Sequence, residues 1–120
     1  MKLNVLIVED SLFSADIDVR EIKKAGFDVD YLIVSSCESM AAALKEKKWD
    51  VIISENSMPN FNASMALAVR NKIMPKIPFI IVSEDITDEE VYKALEEGCS
   101  AFLRKERLEE LRKLVRNILI

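Results

Sequence analysis

Residues 4–10 read Asn4-Val5-Leu6-Ile7-Val8-Glu9-Asp10. Four aliphatic residues follow one another without alternation, and two adjacent carboxylates end the run. A strand with one face in water would alternate apolar and polar; a short run that does not suits a strand buried on both faces of a parallel sheet. Further β-branched apolar runs follow at Val29 to Val34, Val51 to Ser54, Phe79 to Val82 and Ala101 to Leu103. Helical patterns separate them. Leu12, Ala15, Val19 and Ile22 form a stripe, with Gly26 where a C-terminal cap belongs. Ser35 with Glu38 reads as a capping box before Ala41 and Leu44. Asn62 reads as the cap of a helix bearing Ala66, Val69 and Ile73. Thr87 and Glu90 make a second box, with Ile86 and Val91 placed as a hydrophobic staple. Leu108, Leu111, Val115 and Ile118 mark the last helix.

Strands alternating with helices imply a parallel sheet covered on both faces, with right-handed crossovers. The expected fold is α/β: a (βα)5 doubly wound parallel five-stranded sheet in the flavodoxin-like order 2-1-3-4-5. The 120 residues suit a single domain spanning 1–120. With 2 glycines, 3 prolines and no internal repeat, the chain reads as one unit with short connections. A net charge of −4 argues against direct nucleic-acid binding. The absence of histidine excludes a Ser–His–Asp triad, a His-ligated zinc site and a phosphohistidine acceptor within the chain. No apolar run reaches the ~18 residues of a membrane span. The first apolar stretch holds Asn4, stops at Glu9 and lacks a small-residue cleavage site, unlike a signal peptide. Cys37 and Cys99 form no CxxC and read as reduced thiols of a cytoplasmic protein.

In such a sheet, ligands sit outside the carboxyl ends of the strands, at the switch point between strands 1 and 3. Strand 1 ends at Glu9-Asp10, strand 3 at Ser54-Glu55, strand 4 at Ser83, and strand 5 runs into Arg104-Lys105. Carboxylates leaving buried strands need neutralising. Oxygen ligands in such a cluster suit a hard cation that keeps several waters, Mg²⁺ foremost, and Lys105 is a mobile counter-charge. Any one of these residues alone reads as an ordinary solvated loop residue.

The segments VLIVEDS at 5–11, DVIISENSMPNF at 50–61, PFIIVSED at 78–85 and GCSAFLRKE at 98–106 occur in this order along the whole chain. Together they resemble the receiver domain of two-component response regulators. In wording they look most like receivers attached to sensory-box, histidine-kinase or cyclic-dinucleotide proteins. The resemblance implies that Glu9 and Asp10 bind Mg²⁺, with the main-chain carbonyl of Ser57 as a further ligand. It puts Glu55 at the phosphoacceptor position, four residues before Pro59 and also beside the metal. Ser83 becomes the hydroxyl that contacts the phosphoryl group, Lys105 the lysine, and Phe102 the switch aromatic. Asn60 stands where a glycine is usual, which Asn tolerates because it visits the left-handed region.

The sequence departs from the family at Glu55, where an aspartate is usual, at Glu84, where a small residue is usual, and at Glu106, often proline. One extra methylene displaces the acceptor carboxylate, and a misplacement near 1 Å can cost ~10²-fold in rate. Glu55 is therefore expected either to be inert or, by reaching Ser83 and Lys105, to imitate the phosphorylated state. The first expectation is a phosphorelay signalling module with weakened or lost phosphorylation that works through a protein-interaction surface. It is not an enzyme beyond, at most, autocatalytic transfer from a donor histidine. The alternative is a conventional Mg²⁺-dependent phospho-switch using Glu55, Ser54 or Ser57; last comes a small metal-dependent phosphatase or nucleotide-binding enzyme, disfavoured by the lack of a Gly-rich phosphate loop. Expected partners are a histidine kinase or other signalling protein, or attached sensory and output domains. The helix 4, strand 5 and helix 5 face is the expected docking or dimer surface. Met58 and Phe61 read either as exposed partner contacts or as loop packing, and Trp49 as cover for the sheet's lower edge.

Overall fold

The computed structural model describes residues 2–119. Five strands form one parallel sheet: β1 (Lys2–Val8), β2 (Asp28–Val34), β3 (Val51–Ser54), β4 (Phe79–Ser83) and β5 (Ala101–Arg104). Their order is β2-β1-β3-β4-β5, the expected doubly wound arrangement. The helices are α1 (Leu12–Lys24), α2 (Cys37–Glu46), α3 (Ala63–Ile73), α4 (Asp88–Glu96) and α5 (Leu111–Leu119).

The non-alternating runs are explained by two cores. Leu6, Val8, Ile52, Phe79 and Ile81 pack with residues of α2, α3 and α4. Val5, Ile7, Val51, Ile53, Ile80 and Val82 point the other way, toward α1 and α5. Successive strand residues face opposite sides, so a strand with helices above and below must be apolar at every position.

Asn62 and Thr87 cap α3 and α4 as expected, each accepting the N3 backbone N–H, and Glu90 completes the second box. Ile86 and Val91 are both buried in one core. Gly26 takes φ 96° after α1, and Asn60 takes φ 60° in the turn between Ser57–Met58 and Phe61–Asn62.

Several expectations need correction. The cap of α2 is Ser36 paired with Ser39, one position beyond the expected Ser35 and Glu38. Consecutive serines offer two cap candidates, and the backbone geometry selects the one whose oxygen reaches the N3 amide at 3.1 Å. Leu108 is not in the last α-helix: Lys105–Glu110 is a 3-10 segment with a non-helical Arg107. Leu12 is exposed rather than part of the buried stripe, which consists of Ala15, Asp18, Val19 and Ile22. Phe61 is buried and Met58 packs against the same core, so both are loop packing. Trp49 covers the lower edge of β3 and donates its indole N–H to the Ala43 carbonyl at 2.9 Å. Cys99 is buried, Cys37 is half-buried, and both are free thiols. Ile118 and Leu119 pack on the α1/α5 core; Ile120 lies outside the described residues.

Candidate functional site

The upper ends of β1, β3, β4 and β5 surround a cavity of about 260 Å³. Glu9, Asp10, Glu55, Ser57 and Lys105 line it, with Glu84 and Asp85 on its far rim. The register puts Val8 beside Ser54, so the residues that follow each, Glu9 and Glu55, leave the sheet side by side. Their backbone N–H groups extend the ladder, Glu9 to the Val34 carbonyl and Glu55 to the Val8 carbonyl.

Glu55 is at the centre. Its Oε2 lies 2.8 Å from the Lys105 Nζ. Its Oε1 accepts the Ser83 hydroxyl at 2.5 Å and the Asn56 backbone N–H at 2.9 Å. Both carboxylate oxygens are therefore engaged. The Ser83 hydroxyl also lies 2.8 Å from the Asp85 Oδ1, and its single proton serves one carboxylate at a time. Lys105 donates in addition to the Ser14 hydroxyl at 3.3 Å and lies 3.8 Å from the Glu9 Oε2.

Glu9 is buried, and burial raises its carboxyl to about 7, against the pull of the Ser11 backbone N–H and of Lys105. Its Oε1 accepts the backbone N–H groups of Asp10 and Ser11, both at 3.1 Å. Burial would lower the Lys105 ammonium, but hydrogen bonding and charge from Glu55, then Glu9 and Asp18, outweigh it and the net shift is upward. Asp10 stays exposed on the rim. Among the described residues no three acidic, Cys or His side chains are gathered as a ready metal cluster. Phe102 is not part of this cavity: it is 36% exposed on the outer side of β5, with the Arg104 guanidinium 6.0 Å from its ring.

Some site residues escaped the sequence reading. Asp18 is 4% exposed on the core-facing stripe of α1; burial lifts its carboxyl to about 7, with Lys105 the opposing charge. Its signal was available, since it falls three residues after Ala15 and four before Ile22. Asn56 is buried beside Glu55 and donates from its side-chain amide to the Glu90 Oε2 at 3.2 Å. That contact helps hold the Glu90 carboxyl below its usual range, after the larger effect of the Thr87 backbone N–H. Asn56 thus ties the site to the cap of α4, a link across 34 residues that no local pattern announces.

The molecule is thus a doubly wound sheet with acidic groups, a hydroxyl and a lysine gathered on its carboxyl rim. The model of the response regulator receiver domain matches residues 5–116, and the chain belongs to that family. It is 27% identical over 119 residues to hybrid signal transduction histidine kinase G of Dictyostelium discoideum, covering 95% of this chain and 3% of the kinase. The chain thus spans a small fraction of that relative's length. A DNA-binding response regulator of the LuxR family from Staphylococcus aureus superposes with a TM-score of 0.83 at 25% identity, covering 98% of this chain and 99% of that one. The receiver domain of the sensor histidine kinase PA1611 from Pseudomonas aeruginosa, with magnesium in its active-site cleft, superposes with a TM-score of 0.80 at 16% identity; the match covers 99% of this chain and 98% of that one.

Proposed function

We propose that this receiver domain is an atypical one, in which Glu55 takes the place of the phosphoryl group and holds the site in a fixed state. The observation that carries the reading is the bridge from one Glu55 carboxylate to both the Ser83 hydroxyl and the Lys105 ammonium. These are the two groups that the resemblance assigns to contacting a phosphoryl group. Phosphorylation would require a carboxylate oxygen of Glu55 to form a bond to phosphorus as the bond from phosphorus to the donor breaks. That oxygen would first have to leave Lys105, or Ser83 and Asn56. Departure costs charge-assisted hydrogen bonds, and the longer side chain is misplaced for in-line attack.

Mg²⁺ fits the oxygen donors on the rim. Glu9, Asp10 and the main-chain carbonyl of Ser57 would hold it with several waters, while Glu55 joins only by giving up Lys105. When bound, the ion supplies charge neutralisation to an incoming phosphoryl group. The chain acts as a signalling module in the cytoplasm, a single unit over 1–120, under a histidine kinase or as part of a longer signalling protein. Its output surface is the face of α4, β5 and α5, where Tyr92, Leu95 and Phe102 are exposed.

The test is incubation with acetyl phosphate and Mg²⁺ followed by intact-mass spectrometry. The expected result is no stable phosphoryl adduct. A stoichiometric gain of one phosphoryl group on Glu55 would overturn the reading in favour of the conventional switch.

A further inference from the structure

Beside the site just described, α1 and the segment after β5 enclose a second cavity of about 300 Å³. Phe13, Ile17 and Leu108 give it an apolar wall; Asp18, Glu84 and Lys105 give it charge. We propose that this cavity binds an arginine side chain of a partner protein, with Asp18 as its carboxylate and Phe13 as its stacking face. The inference goes beyond the reading of Glu55 and does not depend on it.

Asp18 is the reason to look for a ligand. It is 4% exposed, lines the cavity, and forms no hydrogen bond or ion pair among the described residues. Its carboxylate oxygens open into the cavity and are not sealed in the core, since the Glu21 Oε2 is the only buried side-chain oxygen without a hydrogen-bond partner among the described residues; they are therefore free to receive a ligand. Burial raises the Asp18 carboxyl to about 7, and the charge of Lys105, shared with Glu55 and Glu9, offsets that only in part.

The charge of the walls selects a cation. Lys105 is the one positive lining group, and its ammonium is already compensated by Glu55 at 2.8 Å and Glu9 at 3.8 Å. Asp18 remains, with the exposed Glu84 at the mouth. The shape selects guanidinium over ammonium. Phe13 is 76% exposed, and a planar cation can stack on its ring while its N–H fork meets a carboxylate in bidentate fashion. A methylene stem can lie along Ile17 and Leu108. The volume corresponds to about ten water molecules, room enough for a guanidinium and its stem.

The probe is butylguanidinium, titrated into the full chain and followed by amide NMR, with butylurea as the neutral isostere. Saturable shifts at Phe13, Ile17, Asp18 and Leu108 are expected with butylguanidinium and not with butylurea. Asp18→Asn should weaken binding at least about tenfold, the loss of a charge-assisted pair. Phe13→Ala, at an exposed position that the fold does not need, should weaken it about threefold or more. Four results would each overturn the proposal: no saturation, equal shifts from butylurea, shifts centred on Glu9 and Asp10 instead, or unchanged affinity in Asp18→Asn. If Asp18→Asn does not fold, unchanged affinity in Phe13→Ala overturns it alone.

Discussion

Replacing Asp18 by asparagine should stabilise the protein, and only above mildly acid pH. The carboxyl is buried on the core-facing stripe of α1 and is raised from an ordinary 3.8 to about 7, chiefly by desolvation. An acid whose folded-state value is raised binds its proton more tightly when folded. The folded state is therefore favoured below pH ~4, loses stability as pH climbs from there toward 7, and loses no more above 7. The full rise corresponds to roughly 4 kcal/mol at pH 8, an upper figure that hydration in the adjoining cavity reduces toward about 2 kcal/mol. The amide of the Asp18→Asn variant carries no such titration, and the other groups largely cancel when the two proteins are compared. The difference in unfolding free energy should be near zero at pH 3.5, grow by at most ~1.4 kcal/mol per pH unit, and level off above pH 7. At pH 8 this corresponds to a melting-temperature gain of roughly 10 °C for a domain of this size. Urea unfolding of both proteins from pH 3.5 to 9 measures it. A difference that does not vary with pH, or a variant less stable than the parent at pH 8, would contradict this account and mean that charged Asp18 is held by Lys105.

Two further expectations concern the acceptor site. Glu55→Asp withdraws the carboxylate by about a bond length and should open Ser83 and Lys105 to a phosphoryl group, restoring slow, salt-sensitive labelling by acetyl phosphate, whereas Glu84→Ala alone should restore none. A dianion passing Glu84 at ~6 Å feels roughly 5 kcal/mol at an effective dielectric near 20, and even a fifth of that slows transfer about fivefold. The double variant should therefore label fastest, and equal rates for Glu55→Asp and the double variant would show that Glu84 swings into water. Mg²⁺ should bind weakly, saturating in the millimolar range with NMR shifts at Glu9, Asp10 and Ser57. Trp49 is a poor reporter, because it stands at the opposite end of β3, roughly 20 Å along an extended chain. No shift at high Mg²⁺ with the fold intact would mean that Lys105 alone neutralises the rim.

Local pattern was enough for the strands, the helices and the residues at the strand ends, whereas the order of the sheet came from the common doubly wound topology that such alternation favours. Val5 to Val8 and Val51 to Ile53 lack alternation because both faces are covered, and that signal is local. The caps at Asn62 and Thr87 were legible for the same reason: the hydroxyl or amide and the N–H it serves are three residues apart. Where two local solutions compete, as at Ser35 and Ser36, only the folded backbone chose. The direction of the Glu55 side chain was also beyond the sequence. Whether one more methylene leaves a carboxylate idle or carries it to Ser83 and Lys105 depends on three strands that meet only after folding. Asp18 shows the same limit from the other side. Its place on a buried stripe could be counted along α1, but that its carboxyl ends in a cavity beside Lys105, without a partner, follows from how α1 packs against the segment after β5. Periodicity assigns a residue to a face; the partner across that face is set by tertiary packing, at sequence separations no local pattern spans.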